Sequence, residues 1–233
     1  NQSEIINKKI PMINALSHIA NIYNNKGNYE LAIEYNQKVQ SISENNDFID
    51  GIISSQHRMA YINYNLGNYE LAIEIFKKIS KYQEVLDNKG ALSTLYNNIA
   101  SVYVEMGEYN KGLVYFKKSI VINEENGDKQ SLAWTLGNLG VLYGEIDSFN
   151  ISLDYYYKSI TIKEEIGDKE GLMRDLVNLG ATFLIKGDYK KSLEYTYRSL
   201  NIARELESKK GIIICLSYIG KINEDINELD TAL

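Results

Sequence analysis

Two histidines, His18 and His57, and one cysteine, Cys215, are the chain's whole supply of imidazole and thiol groups. They are too few and too scattered for the Cys/His spacing of a zinc site. Glycines fall singly along the chain, not as a GxxxxGK[ST] phosphate loop, and no GxSxG nucleophile elbow occurs. Carboxylates are plentiful, but the recurring ones have a structural reading. Glu34, Glu74, Asp154 and Glu194 each stand four residues before a base, at Lys38, Lys78, Lys158 and Arg198. On a helix that acid-then-base order stabilises by about 0.2–0.5 kcal/mol per pair. With Lys118 added, the bases form a column that would suit a row of phosphates, but a solvated helix face accounts for it better. The residues therefore predict no catalysis, no metal and no cofactor.

Net charge is −6 over 233 residues and is spread without blocks, so no basic surface for nucleic acid is expected. No apolar run reaches the ~20 residues that cross a bilayer, and the first residues lack the order of a signal peptide. The chain opens on Asn1, so an earlier leader stays open, and the cytoplasm is the expected compartment. A lone cysteine excludes an internal disulfide framework, and Cys215, within Ile212–Leu216, reads as a buried thiol. One proline, Pro11, in the whole sequence favours long helices.

What must position any site is a repeat. GNYELAIE occurs at Gly27–Glu34 and again at Gly67–Glu74. Continuing the same 40-residue step gives Gly107, Asp147, Gly187 and Asn227. Two residues later stand Tyr29, Tyr69, Tyr109, Phe149, Tyr189 and Leu229. Small residues recur seven before the turn (Ala20, Ala60, Ala100, Gly140, Gly180, Gly220) and five after it (Ala32, Ala72, Gly112, Ser152, Ser192, Ala232). The glycine column suits a left-handed residue just past a helix end, and Asp and Asn tolerate that conformation best after Gly. Asn28, Asn68, Ser148 and Asp188 are then candidate N-caps. A second loop reads Asn126-Gly127-Asp128-Lys129 and Ile166-Gly167-Asp168-Lys169, with Leu86-Asp87-Asn88-Lys89 as a looser version.

The unit is helix, tight turn, helix, polar turn. First helices are predicted near 11–25, 50–65, 90–105, 130–145, 170–185 and 210–226, and second helices near 29–45, 69–86, 109–126, 149–166 and 189–206. Residues 1–10 read as a lead-in and 11–233 as one array, with repeats at 11–49, 50–89, 90–129, 130–169, 170–209 and a partial sixth at 210–233.

The set Asn98-Ile99-Ala100, Tyr103, Gly107-Glu108-Tyr109 and Gly112 resembles the tetratricopeptide repeat (TPR). The 40-residue length is similar to kinesin light chain, to Pins and LGN adaptors, and to bacterial Rap-type peptide sensors and TPR-bearing sensor kinases. The resemblance implies an all-α fold, a right-handed superhelical α-solenoid of stacked antiparallel helix pairs. It also implies a protein-interaction scaffold that holds a partner's peptide or helix in a concave groove, as part of a larger signalling or adaptor protein. The alternative is a Rap-like peptide-sensing domain that switches by tightening of the superhelix.

In such repeats the inner face belongs to the first helix of each pair. Nine residues before the turn stand His18, Arg58, Asn98, Asn138, Asn178 and Tyr218. The resemblance implies that Asn98, Asn138 and Asn178 form a ladder that reads a ligand main chain, for which an amide offers both donor and acceptor. A structural role for those amides, at a neighbouring helix end, is the other reading. The rest of the face is asymmetric. Its first half is polar with aromatics, including His57, and its second half is apolar, with Trp134, Val141 and Leu184. Arg58 and Arg174 supply positive charge there, and Trp134 is the candidate anchor. The expected partner is a protein or peptide, with neither nucleic acid nor membrane insertion. The last helix carries Ile212, Ile213, Ile214 and Leu216, and Ala232 would fall early in a sixth second helix. That apolar edge predicts either that the native chain continues or that it self-associates there.

Overall fold

The computed structural model describes the backbone of residues 2–232 and the side chains of residues 9–227. Eleven helices and no strand occur among the described residues: α1 (Gln2–Asn25), α2 (Tyr29–Glu44), α3 (Ile49–Asn65), α4 (Tyr69–Val85), α5 (Lys89–Glu105), α6 (Tyr109–Asn126), α7 (Lys129–Glu145), α8 (Phe149–Ile166), α9 (Lys169–Ile185), α10 (Tyr189–Glu205) and α11 (Lys209–Ala232). Consecutive helices pack as antiparallel pairs, the stacked-pair α-solenoid expected from the repeat. The chain forms two compact units, Asn1–Tyr115 and Phe116–Leu233, with the boundary inside α6.

The turns obey the columns. Gly27, Gly67, Gly107 and Gly187 take φ of +72° to +78°, and Asp147 replaces glycine at φ +57°. The residue after each donates its N–H to the carbonyl five back, as Asn28 does to Tyr23 at 2.9 Å, which closes the helix end. The second loop has its own left-handed column: Asp47, Asp87, Gly127, Gly167 and Glu207. Asn28, Asn88, Asp128, Asp168 and Asp188 cap the following helices with their side chains. Asn68 and Ser148 hold the cap position without capping. Asn68 instead donates to Asn63 Oδ1 at 3.2 Å.

Two helices run further than expected. α1 begins at Gln2 and continues through Pro11, which forfeits a single backbone bond. α11 continues to Ala232 without a turn at Asn227. No glycine stands there, so continued helical bonding satisfies the backbone better than a left-handed Asn would.

The close crossings are real. Ala60 and Ala100 are fully buried. At Gly140 an added Cβ would lie 2.6 Å from the Tyr156 ring, and at Gly180 2.6 Å from Thr196 Oγ1. Rings stack between the helices of a pair: Tyr23 on Tyr35, Tyr103 on Tyr115, Tyr143 on Tyr155 and Phe183 on Tyr195, with centroids 5.3–5.7 Å apart. The first unit's core centres on Phe76, Ile79, Leu95 and Ile99. The second unit's core includes a cluster around Leu176, Leu179 and Phe183 and another around Leu200, Cys215 and Ile219. Cys215 is a buried free thiol, as expected.

Surface ion pairs follow the sequence only in part. Lys38 bonds Glu34 at 2.6 Å, as the helix spacing predicts. Arg198, however, pairs with Glu164 on α8, and Lys158 lies over the Tyr155 ring at 5.4 Å. Long basic side chains reach a neighbouring helix as easily as the next turn of their own.

Candidate partner-binding face

In the first unit, α1, α3 and α5 carry the relevant positions. Arg58 on α3 is tied sideways: Nε donates to Asn36 Oδ1 at 2.6 Å and Nη2 to Ser17 Oγ at 2.9 Å. Burial lowers its pKa, and no carboxylate pairs with it among the described residues. His57 packs edge-on to Tyr61 and Phe76, with centroids at 5.0 and 5.7 Å. Burial first, then the Arg58 charge, push its pKa below the usual histidine value, so the ring packs in its neutral form. His57 thus belongs to helix packing more than to an open groove. Asn98 is half-buried beside Tyr61, and its presence offsets part of the upward push that burial gives that phenol. Its Nδ2 nevertheless makes no well-formed hydrogen bond and is shielded from solvent.

In the second unit the face lies on α7, α9 and α11. Trp134 is 44% exposed. The Arg174 guanidinium lies 3.7 Å from the centre of its ring, and Arg174 Nε is 3.8 Å from Asp175 Oδ1. Asn138, Asn178 and Tyr218 are half-buried at the common register. Val141 is packed against the Leu176 cluster and Leu184 is buried, so neither presents an open apolar surface. The helical wheel assigned both to the groove because it omits the neighbouring repeat, which covers a wider face of each first helix. Ile185 and Ile214 do remain exposed.

Sequence reasoning missed the buried polar joints behind this face. Lys163 on α8 and Asp175 on α9 form an ion pair at 2.5 Å, with both side chains at most 1% exposed. Ser159 Oγ lies 2.5 Å from Asp175 Oδ2 and 2.6 Å from the Ala133 carbonyl. Burial pushes the Lys163 pKa down, and Asp175 opposes that shift. One repeat earlier the same positions hold Ser119, Asn123 and Thr135, with Ser119 and Thr135 hydroxyls 3.1 Å apart. One repeat later Cys215 Sγ donates to Ser199 Oγ at 3.4 Å. The available signal was a charge at 163 and at 175 in columns otherwise filled by small, neutral or apolar residues.

Among the described residues no group of three or more His, Cys, Asp or Glu could hold a metal, and no helix is long and apolar enough to cross a membrane.

This pattern of paired helices, glycine turns and small-residue crossings defines a repeat scaffold, and its kind is shown by comparison. The tetratricopeptide repeat family model matches residues 11–84 and 91–165, more than half of the chain. The chain belongs to the tetratricopeptide repeat family. No curated protein sequence matches it. It is similar to the TPR-like repeats of a putative kinesin light chain from Podosopora anserina, at 14% identity and TM-score 0.65, over 84% of this chain and 96% of that one. A STAND protein with a tetratricopeptide repeat sensor, from Pyrococcus horikoshii, aligns at 16% identity and TM-score 0.72, over 91% of this chain and 36% of that one. A Rap protein solved in complex with competence and sporulation factor aligns at 14% identity and TM-score 0.66, covering 94% and 66% respectively. At these identities the likeness is one of fold.

Proposed function

We propose that the chain is a protein-interaction scaffold that holds a peptide or helix of a partner on the first-helix faces of its repeats, within a larger signalling or adaptor protein. The observation that carries this reading is the Trp134–Arg174 stack. It keeps the sole tryptophan 44% exposed and fixes a cation on its ring before any ligand arrives. Such a preformed aromatic surface lowers the ordering cost of binding. Asn138 and Asn178 lie on the same helices, and Asn98 holds the same register in the first unit.

A pull-down from lysate tests it, using wild type, Trp134→Ala, Asn98→Ala and the Asn138→Ala/Asn178→Ala pair. The reading expects a partner that wild type retains and the variants lose. Equal retention by all four would remove these residues from the binding surface. A second reading, a Rap-like peptide-sensing regulator, is favoured by the fold shared with the Rap protein across 94% of this chain. Compaction on ligand addition, seen by small-angle scattering, would distinguish it from a passive scaffold.

A further inference from the structure

The polar loops join one repeat to the next with a recurring set of residues. Where a second helix hands over to a first helix, a capping residue is followed by lysine: Asn88-Lys89, Asp128-Lys129, Asp168-Lys169 and Ser208-Lys209. In the second unit that lysine reaches a glutamate 36 residues on, near the end of the paired second helix. Lys129 Nζ lies 2.5 Å from Glu165 Oε1, and Lys169 Nζ 2.9 Å from Glu205 Oε2.

The repeat built from α3 and α4 departs at all three positions. Its cap residue is Phe48, Ile49 stands for the lysine and Val85 for the glutamate. Phe48 carries no acceptor, so α3 starts without a side-chain cap. An added Cβ on Gly51 would lie 2.6 Å from Phe48 Cδ1, so that ring is folded against its own helix. Ile49 and Val85 find no such cover. They stay 45% and 87% exposed, and Leu86 beside them is 49% exposed. The repeat thus forfeits a cap and an ion pair and leaves branched apolar side chains in water. Local rules broken together, with no return inside the fold, mark a surface that something outside the fold covers.

The border of this patch sets the charge of its occupant. Glu44, Asp47 and Asp50 stand on the α2–α3 side, and Glu84 and Asp87 flank Val85 and Leu86. All five are exposed, and the bases beside them are Lys81 and Lys89. An apolar surface with an acidic border complements apolar side chains flanked by Lys or Arg. A second copy meeting the patch face to face would instead set acidic border against acidic border.

We propose that Ile49, Val85 and Leu86 form a docking surface for a cationic amphipathic segment of a partner protein. Apolar side chains of that segment cover the patch, and its Lys or Arg residues meet the acidic border. The surface lies at the loop ends of the helices, not on the first-helix faces of the scaffold reading, and does not depend on them.

Three peptides, blocked at both ends, test it: three repeats of Lys-Leu-Leu-Lys, of Glu-Leu-Leu-Glu and of Lys-Ser-Ser-Lys. Titration into the ¹⁵N-labelled full chain reads the backbone amides of Ile49, Asp50, Val85 and Leu86. The Lys–Leu peptide should shift them saturably. The other two should bind about tenfold more weakly or worse, one lacking the charge and the other the apolar contact. The decisive variant is Ile49→Lys/Val85→Glu, which rebuilds the ion pair of the later repeats. It leaves the net charge at −6, so general attraction for a basic peptide persists. Its melting temperature should equal or exceed that of wild type, while its affinity for the Lys–Leu peptide falls about tenfold. Undiminished affinity in that variant, equal affinity for the three peptides, or no saturable shift at these amides would overturn the proposal. Shifts at the same amides that grow with protein concentration alone would also overturn it, by assigning the patch to a second copy. The pull-down with the Trp134 and Asn variants is read separately, so the scaffold reading stands or falls on its own.

Discussion

At the same repeat position, two joints are built from opposite materials. In the first unit Ile79 on α4 and Leu95 on α5 meet in an apolar cluster, with the neutral, buried Gln83 at the place of Lys163. In the second, Ser159, Lys163 and Asp175 bury an ion pair with a hydroxyl beside it. The backbone frame is common to both, so the difference shows that the frame does not dictate the chemistry of its joints. It demands above all volume: Gln83 Oε1 stays buried without a well-formed hydrogen bond at the place that Lys163 fills in the second unit. An apolar joint tolerates any well-packed neighbour, whereas a buried charge accepts only a partner with the opposite charge in place. We read the second unit's joints as giving each repeat a distinct neighbour, a specificity that the apolar joint lacks.

The largest effect follows from breaking that pair on one side. Asp175→Ala leaves Lys163 buried and unpaired, and should cost about 3–5 kcal/mol. Replacing both, as Lys163→Met/Asp175→Leu, should be close to neutral or stabilising, since the desolvation cost of both charges disappears with them. Urea denaturation followed by circular dichroism measures both. If Asp175→Ala costs no more than a surface substitution, the contrast between the joints is energetically empty. Leu95→Ala is the first unit's control; it should cost about 2–5 kcal/mol through loss of packing and the cavity left behind. Unlike the ion pair, that loss has no partner substitution that restores it.

The second comparison concerns the small-residue column, where the first unit uses alanine and the second glycine. Gly140 faces the Tyr156 ring so closely that a Cβ would sit 2.6 Å from it, while Gly220 in the same column faces open space. Alanine is the better helix former by about 1 kcal/mol. Gly220→Ala should therefore stabilise by up to about that amount. Gly140→Ala should destabilise by about 1–3 kcal/mol as the ring is forced aside. Thermal melts of the two single variants test it, and two shifts of the same sign would remove the crossing argument.

The sequence made the frame legible because the frame is local. A left-handed residue after a helix, a small residue at a crossing and a ring beside it leave a mark at fixed spacing, and nine of the eleven helices end within a residue or two of the expected bounds. The joints were not legible, because whether Lys163 meets Asp175 depends on how α8 lies on α9, twelve residues away by chain. The same ignorance placed Val141 and Leu184 in the groove. It also left Arg58 as a generic positive charge, since Ser17 lies 41 residues before it. A residue's column tells which way it faces, and only the neighbouring repeat tells what it meets there.

The polar loops give a smaller, cleaner test. The first unit closes them with Asp47 and Asp87 at φ of +51° and +50°, and the second with Gly127, Gly167 and then Glu207 at φ +50°. A left-handed L-residue costs about 1–2 kcal/mol, less for Asp, whose short side chain bonds locally. Glu207→Gly should thus stabilise by about 1 kcal/mol and Asp87→Gly by less. Equal gains would show that the Asp side chains do nothing for their turns.

The two arginines supply the finest contrast, and the smallest expected energy. Arg58 is held edge-on by two neutral acceptors, while Arg174 lies flat on Trp134. At an exposed ring that stack is worth about 0.5–1 kcal/mol. Stability alone would hardly register Arg174→Ala. Fluorescence will, because Trp134 is the sole tryptophan and every change in its emission reports this one surface. Removing the guanidinium uncovers one ring face to water, so emission should move to longer wavelength, and iodide should quench it more strongly than in wild type. Arg174→Lys should fall between the two, since an ammonium keeps the charge but cannot lie flat against the ring. Arg58→Lys should leave the emission untouched, because Arg58 belongs to the other unit and makes its bonds to Asn36 and Ser17. If Arg174→Ala also leaves it untouched, the stack is not formed in solution. The scaffold would then have to order its anchor at the moment of binding, and the affinity would carry that entropy cost.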